Sequence, residues 1–211
     1  MTQIKLCGLS RPQDIATANA LRPDYIGFVF AKASRRYVAP ETARELRALL
    51  DPGIRAVGVF VNEAPEQVAA LLSEGIIDIA QLHGAEDEEY IKRLRRLTEK
   101  PIIKAFRLGT DSETKEHARE VLSEAMASTA DMVLLDSGAG TGMVLNWELL
   151  SDFPKGYILA GGLTPDNVGA AVGMLHPAAV DVSSGIETDG VKDASKMRDF
   201  ANALRKDEND E

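Results

Sequence analysis

At 211 residues, 45% hydrophobic and 27% charged, the chain can bury one sizeable core, and its net charge of −9 argues against a nucleic-acid-binding surface. Its single cysteine excludes an intramolecular disulfide and agrees with a reducing compartment. No run approaches the roughly 18 consecutive apolar residues of a membrane span, and the amino-terminal residues lack the charged-then-apolar layout of a signal peptide. The expectation is a cytoplasmic protein with neither a membrane nor a nucleic-acid partner.

Short β-rich runs alternate with longer helical patterns, the signature of parallel βα units. Eight strands are predicted, at residues 3–7, 24–30, 55–61, 78–82, 101–107, 131–136, 157–160 and 179–183. Helical patterns fall between them, for example at 40–50, 65–74, 86–97 and 112–128, with a short sixth helix around 147–150. Asn62-Glu63-Ala64-Pro65 and Thr164-Pro165-Asp166-Asn167 each put a proline near a first helical position. Arg93, Arg95 and Arg96 read as a solvated helix face balanced by Glu86, Asp87, Glu88 and Glu89 in the preceding turn.

No proline- or serine-rich linker divides the chain, so residues 1–204 are assigned to one domain and the charged stretch 205–211 to a frayed tail. Eight consecutive units can form an open sheet, but closure into an α/β single-domain (β/α)8 barrel is the more economical arrangement. In such a barrel the strand ends gather on one face, and the ends here are Cys7, Phe30, Val61, His83, Arg107, Asp136, Gly161 and Ser183.

Cys7 closes the first strand in Ile4-Lys5-Leu6-Cys7-Gly8. A thiol there can act as nucleophile or proton acceptor, or be a small buried hydrophobe. Alternation along a strand makes Lys5 share a face with Cys7, Gln81 with His83, Leu134 with Asp136 and Asp181 with Ser183. Lys5, Gln81 and Asp181 facing a packed interior are costly without partners, unless those strands are registered the other way. Asp136 ends an apolar strand, where a partly desolvated carboxyl can donate a proton, and the glycine-rich run Ser137-Gly138-Ala139-Gly140-Thr141-Gly142 after it reads as a mobile loop or a plain turn.

Ala160-Gly161-Gly162-Leu163 and Ser183-Ser184-Gly185 follow the seventh and eighth strands, where barrels often bind phosphate through backbone N–H groups. Arg35 and Arg36, in Ser34-Arg35-Arg36-Tyr37, read either as a carboxylate grip or as a basic surface loop.

In combination these segments resemble the phosphoribosylanthranilate isomerase family. The resemblance runs through Lys5-Leu6-Cys7-Gly8, Gly27-Phe28-Val29-Phe30, Ser34-Arg35-Arg36-Tyr37, Val57-Gly58-Val59-Phe60-Val61-Asn62 and Gln81-Leu82-His83-Gly84. It continues through Leu134-Leu135-Asp136, Gly140-Thr141-Gly142, Gly161-Gly162-Leu163 and Val182-Ser183-Ser184-Gly185. It implies a (β/α)8 barrel of tryptophan biosynthesis that converts N-(5-phosphoribosyl)anthranilate to the 1-deoxyribulose 5-phosphate product by an Amadori rearrangement. It further implies Asp136 as general acid, Cys7 as general base, Arg36 on the anthranilate carboxylate, and Gly162, Ser183 and Ser184 at the phosphate. Gln81, His83, Gly161, Asp181 and Gly185 complete the expected binding set. The expected ligand is a small phosphosugar-anthranilate, with no cofactor, no metal, and outer helices open to homo-oligomer formation.

The chain departs from the family after Gly142. A basic residue followed by a Phe-Asp-Trp ending is usual there, and this chain has Met143-Val144-Leu145-Asn146-Trp147, a change that bears on loop anchoring and not on the acid–base pair.

Two other functions fit parts of the pattern. A phosphosugar aldolase or synthase would use Lys104 as an amine nucleophile, although Lys104 sits below the strand end and also suits a core-facing ion pair. A non-catalytic phosphosugar binder would need the phosphate loops but not both Cys7 and Asp136. A metal-dependent epimerase is disfavoured, because His117 falls in a helix and His176 precedes the eighth strand, leaving His83 alone at a strand end.

Overall fold

In the computed structural model of the chain, residues 2–109, 115–136, 150, 153–154 and 156–206 are described. Strands β1 (Gln3–Cys7), β2 (Tyr25–Val29), β3 (Arg55–Phe60), β4 (Ile79–Leu82), β5 (Ile102–Arg107), β6 (Met132–Asp136), β7 (Tyr157–Ala160) and β8 (Ala179–Val182) follow one another in sequence order as a closed barrel. The closed arrangement removes the open-sheet alternative. Helices α1 (Pro12–Leu21), α2 (Pro40–Leu49), α3 (Pro65–Ser73), α4 (Glu88–Arg95), α5 (Lys115–Ala127), α6 (Val168–Leu175) and α7 (Ala194–Lys206) lie between or after them. A hairpin of β9 (Glu187–Thr188) and β10 (Val191–Lys192) follows β8.

The chain divides into two compact units, Leu6–Ala105 with Ser128–Met132, and Met1–Lys5 with Phe106–Ala127 and Val133–Glu211. In the first, β2, β3 and β4 pair in parallel with a continuous register, Gly27 opposite Val57 and Val59 opposite Gln81. All five residues of β2 are buried, as expected of a parallel strand covered on both faces. Helices α1, α2 and α3 each begin on a proline, whose fixed φ suits a first helical residue and whose missing N–H would have had no helical partner. Asp14 tightens the start of α1 by accepting from the backbone N–H groups of Ser10 and Arg11, both at 3.0 Å, and from the Arg11 guanidinium. That guanidinium is held above its usual pKa by hydrogen bonding to the Asp14 carboxylate, against the opposing effect of burial.

In the second unit β6, β7 and β8 pair in parallel, Asp136 opposite Ala160 and Ala160 opposite Asp181. Helix α7 buries Met197, Phe200, Ala201 and Leu204, one stripe at helical spacing. It runs to Lys206, so the stretch expected to fray from 205 begins inside a helix, and residues 207–211 lie outside the described ones.

Three other expectations are corrected. Asn167 is the N-cap of α6, so Pro165 belongs to the turn before the helix and not to its first position. The pattern at 86–97 contracts to Glu88–Arg95, because Asp87 caps it by accepting from the Tyr90 N–H at 2.9 Å. Glu86 is not a solvated acid of that turn. It is 5% exposed and accepts from the backbone N–H groups of Asn62 and Gly84 at 2.6 and 2.8 Å. The expected helix around 147–150, the glycine-rich run 137–142 and residues 112–114 fall almost wholly outside the described residues; Leu150 is described and lies in a turn.

Candidate functional site

Cys7 ends β1 with 7% exposure, packed with Val29, Val59 and Ala31. Immediately after it the chain turns at Gly8 (φ 78°), and the Gly8 and Leu9 N–H groups both donate to the Gly27 carbonyl, at 2.8 and 3.1 Å. The thiol is thus seated in an apolar wall at a strand end whose following residues are tied to β2 through the Gly27 carbonyl.

The loop carrying Arg35 and Arg36 folds back on β2. Ser34 N–H donates to the Ala31 carbonyl, Arg36 N–H to Ser34 Oγ at 3.1 Å, Tyr37 N–H to the Ser34 carbonyl, and Val38 N–H to the Val29 carbonyl. This local folding leaves Arg35 exposed and Arg36 half-buried, which separates two residues that their spacing left equivalent.

Gln81 is 1% exposed, and its amide Nε2 lies 2.9 Å from His83 Nδ1. With the amide in that orientation it donates, so a neutral His83 carries its hydrogen on Nε2. The Gln81 Oε1 atom has no hydrogen-bond partner among the described residues. Lys104 donates to the Gly84 carbonyl at 2.8 Å and lies 3.5 Å from the Glu86 carboxylate. It is a core-facing ion-pair member that shapes the segment after His83, which weakens its case as an amine nucleophile.

In the other unit, Asp136 ends β6 half-buried, and its backbone carbonyl accepts from Leu108 N–H at 2.9 Å. Lys5 Nζ donates to Asp181 Oδ1 at 2.9 Å, with the two side chains 1% and 8% exposed. The polar residues on the strand faces are buried, as expected, and these two neutralise one another. Removing one member would leave a buried, uncompensated charge, a cost of about 3–5 kcal/mol.

Gly161 and Gly162 both adopt positive φ, 92° and 64°, a conformation that glycine takes without penalty. Asn167 closes their loop by donating to the Gly162 carbonyl at 3.0 Å and accepting from Thr164 N–H at 2.8 Å. Ser184-Gly185-Ile186 forms a single 3-10 turn after β8. A Cβ on Gly185 would sit 1.9 Å from the Leu163 carbonyl oxygen, so the two glycine loops meet backbone to backbone. The structure therefore brings together the pair of loops expected at a phosphate.

Below that pair lies a feature the sequence reading missed. Lys192 donates to the Ser183 carbonyl at 2.8 Å, to Ser183 Oγ at 3.2 Å and to Glu187 Oε1 at 2.6 Å. The signal for its hairpin was Asp189-Gly190, both at positive φ (52° and 79°), a dipeptide suited to a two-residue turn. Next to it Asp193, whose carboxylate accepts from the Thr188 and Ser195 hydroxyls and from the Lys196 and Ser195 N–H groups, is lowered from 3.8 to about 2. Among the described residues no group of His, Cys, Asp and Glu has metal-binding geometry, and no helix is long and apolar enough to cross a membrane.

Residues 4–203 match the family described as N-(5'phosphoribosyl)anthranilate (PRA) isomerase. The N-(5'-phosphoribosyl)anthranilate isomerase of Acetivibrio thermocellus is 46% identical over 219 residues, covering 97% of this chain and 96% of that protein. The crystal structure of phosphoribosyl anthranilate isomerase from Thermotoga maritima superposes with a TM-score of 0.85 at 32% identity, covering 98% of this chain and all (100%) of that one. A phosphoribosyl anthranilate isomerase crystallised with reduced 1-(o-carboxyphenylamino)-1-deoxyribulose 5-phosphate has a TM-score of 0.82 at 32% identity, covering 98% of this chain and 100% of that one.

Proposed function

The chain belongs to the N-(5'-phosphoribosyl)anthranilate isomerase family, and from that premise we infer how its residues divide the work of the reaction. The enzyme isomerises N-(5'-phosphoribosyl)anthranilate to 1-(2-carboxyphenylamino)-1-deoxyribulose 5-phosphate, an Amadori rearrangement in tryptophan biosynthesis. We assign residues 1–204 to one catalytic domain working in the cytoplasm.

Asp136 is the general acid. Its carboxyl gives a proton to the ribose ring oxygen as the C1–O bond breaks, while the anthranilate nitrogen lone pair forms the C1=N bond of a protonated Schiff base. Cys7 is the general base. Its thiolate takes the C2 proton, and the C2–H electron pair becomes the C1=C2 bond of an enolamine as the C1=N pair returns to nitrogen. Tautomerisation of the enolamine gives the ketone. The cationic Schiff base itself acidifies C2, so a base of modest strength suffices.

Arg36 holds the anthranilate carboxylate, and Gln81, His83 and Asp181 line the sugar. Gln81 Oε1, buried without a protein partner among the described residues, is an acceptor suited to a ligand hydroxyl. The phosphate sits at Gly161, Gly162, Ser183, Ser184 and Gly185. The observation that carries this reading is the contact of the two glycine loops, which offers an anion backbone N–H groups on a fixed frame. The experiment is to generate phosphoribosylanthranilate enzymatically, add the protein and follow loss of the substrate's fluorescence. Decay no faster than without enzyme overturns the reading.

A further inference from the structure

The hairpin after β8 holds a buried ion pair that neither the acid–base chemistry nor the glycine loops require. Glu187 and Lys192 are directly opposed across β9 and β10, their side chains are 4% and 3% exposed, and the ammonium–carboxylate distance is 2.6 Å. Neighbouring contacts fix the hairpin from two further sides: Asp193 N–H donates to the Ile186 carbonyl at 3.0 Å, and Lys196 Nζ donates to the Glu187 carbonyl at 2.7 Å. A pair of apolar side chains could hold such a hairpin at no greater cost, since burying two charges costs about as much as their attraction returns. The chemistry that only the ammonium supplies is its donation into Ser183, at both the carbonyl and the hydroxyl oxygen.

We propose that Lys192 is a positioning residue for phosphate recognition, acting through Ser183. An ammonium has hydrogens to give and no lone pair, so in its bond with Lys192 the Ser183 hydroxyl oxygen is the acceptor. The hydroxyl hydrogen is thereby directed away from Lys192 and serves as a donor. A phosphomonoester dianion offers acceptors only, and a hydroxyl of this fixed polarity meets it as a donor without first turning. The second bond, to the Ser183 carbonyl, anchors the residue that opens the 3-10 turn Ser184–Ile186, and so sets the direction of the N–H groups that follow. Glu187 holds the ammonium in place and offsets its charge. This inference rests on the reading that the substrate carries a phosphate between these loops.

The test compares the parent with Lys192→Met, Ser183→Ala and the double variant Lys192→Met/Ser183→Ala, using inorganic phosphate as a competitive inhibitor of phosphoribosylanthranilate turnover. In Lys192→Met the phosphate inhibition constant and KM rise about tenfold while kcat changes much less, as loss of a charge-assisted hydrogen bond implies. In the Ser183→Ala background, where only the bond to the residue 183 carbonyl is left to lose, the same substitution raises both constants by less than it does in the parent. A role confined to holding the fold lowers Tm but leaves the phosphate inhibition constant of the folded enzyme unchanged, and that result overturns the proposal. Full additivity of the two substitutions overturns it as well. Should Lys192→Met not fold with Glu187 left unpaired, Lys192→Met/Glu187→Met replaces it in each comparison. The rise in Tm on adding inorganic phosphate gives the same ranking without turnover. A parent that stabilises with phosphate but does not isomerise the substrate therefore overturns the functional reading and leaves the role of Lys192 to be decided by this arm. Equal phosphate-induced rises in the parent and in Lys192→Met overturn the role itself.

Discussion

A Cβ placed on Gly27 would lie 2.7 Å from the Cys7 sulfur and 3.1 Å from the Cys7 Cα. The second contact is to backbone, so side-chain rotation alone cannot relieve the clash. Gly27→Ala should therefore move the end of β1 as well as the thiol. Overpacking of this kind costs about 1–3 kcal/mol, and displacement of a reacting group by about 1 Å costs up to about 100-fold in rate. The expected outcome is a lower urea midpoint with kcat reduced at least about tenfold. A variant matching the parent in both would remove Gly27 from any part in seating the base.

Cys7→Ser should lose nearly all turnover with little change in substrate affinity, because an alcohol of the same shape is far too weak a base near neutral pH. The thiol is buried among Val29 and Val59, so the serine variant remains a conservative probe of the wall around it. Steady-state kinetics decides: a kcat within a few-fold of the parent removes Cys7 as the base.

The acid role of Asp136 predicts a bell-shaped dependence of kcat/KM on pH, since one group must be protonated while the other is not. Asp136→Asn should abolish turnover and keep binding, because an amide can hydrogen-bond to the ring oxygen but cannot deliver a proton. Borohydride trapping of the ring-opened Schiff base separates the steps: less trapped species in Asp136→Asn than in Cys7→Ser is expected. Turnover at the parent rate in Asp136→Asn would transfer the role to another group, with His83 the next candidate.

Arg36→Ala should weaken binding of the reduced product analogue by one to two decades, the loss of a charged hydrogen bond worth about 1.5–3 kcal/mol. Arg35→Ala should do little, since Arg35 is exposed where Arg36 is half-buried. Equal effects of the two substitutions in a titration would contradict the assignment.

Folding lowers the Asp193 pKa from 3.8 to about 2, so the carboxylate's contribution to stability is complete above 3.8 and is lost as pH falls through 2. The cause is first the Thr188 hydroxyl, then Ser195 and the N–H groups opening α7. Asp193→Asn keeps an acceptor and loses the charge. Its Tm should fall below that of the parent at neutral pH, and the two melting curves should converge as pH drops from 3.8 towards 2. A difference independent of pH would place the effect outside the carboxylate's charge.

The strands were legible because alternation between apolar runs and helical patterns is a local signal. Strands β1 and β7 have the expected bounds, and the others differ only by a residue at one or both ends, where Phe30, Val61 and Ser183 follow their strands instead of closing them. The glycine loops and Cys7 were legible from their places after those strands. Two kinds of feature were not. Glu86 looked like one more acid in an acidic turn, and its burial depends on the N–H groups of Asn62 and Gly84, the first of them 24 residues away. Lys192 carried no signal of its own, because its partners are defined only once Asp189-Gly190 has turned β10 back onto β9. Hydrophobic periodicity carries no information about which buried polar groups will find each other.

The contact at Gly185 has a thermodynamic consequence. With its Cα against the Leu163 carbonyl, neither glycine loop can shift without moving the other, despite the conformational latitude that Gly161 and Gly162 would have in isolation. The entropy that free loops would surrender on gripping an anion has already been surrendered during folding. Phosphate, on the assignment above, meets a cradle formed before it arrives, and its binding energy goes into affinity and not into ordering the chain.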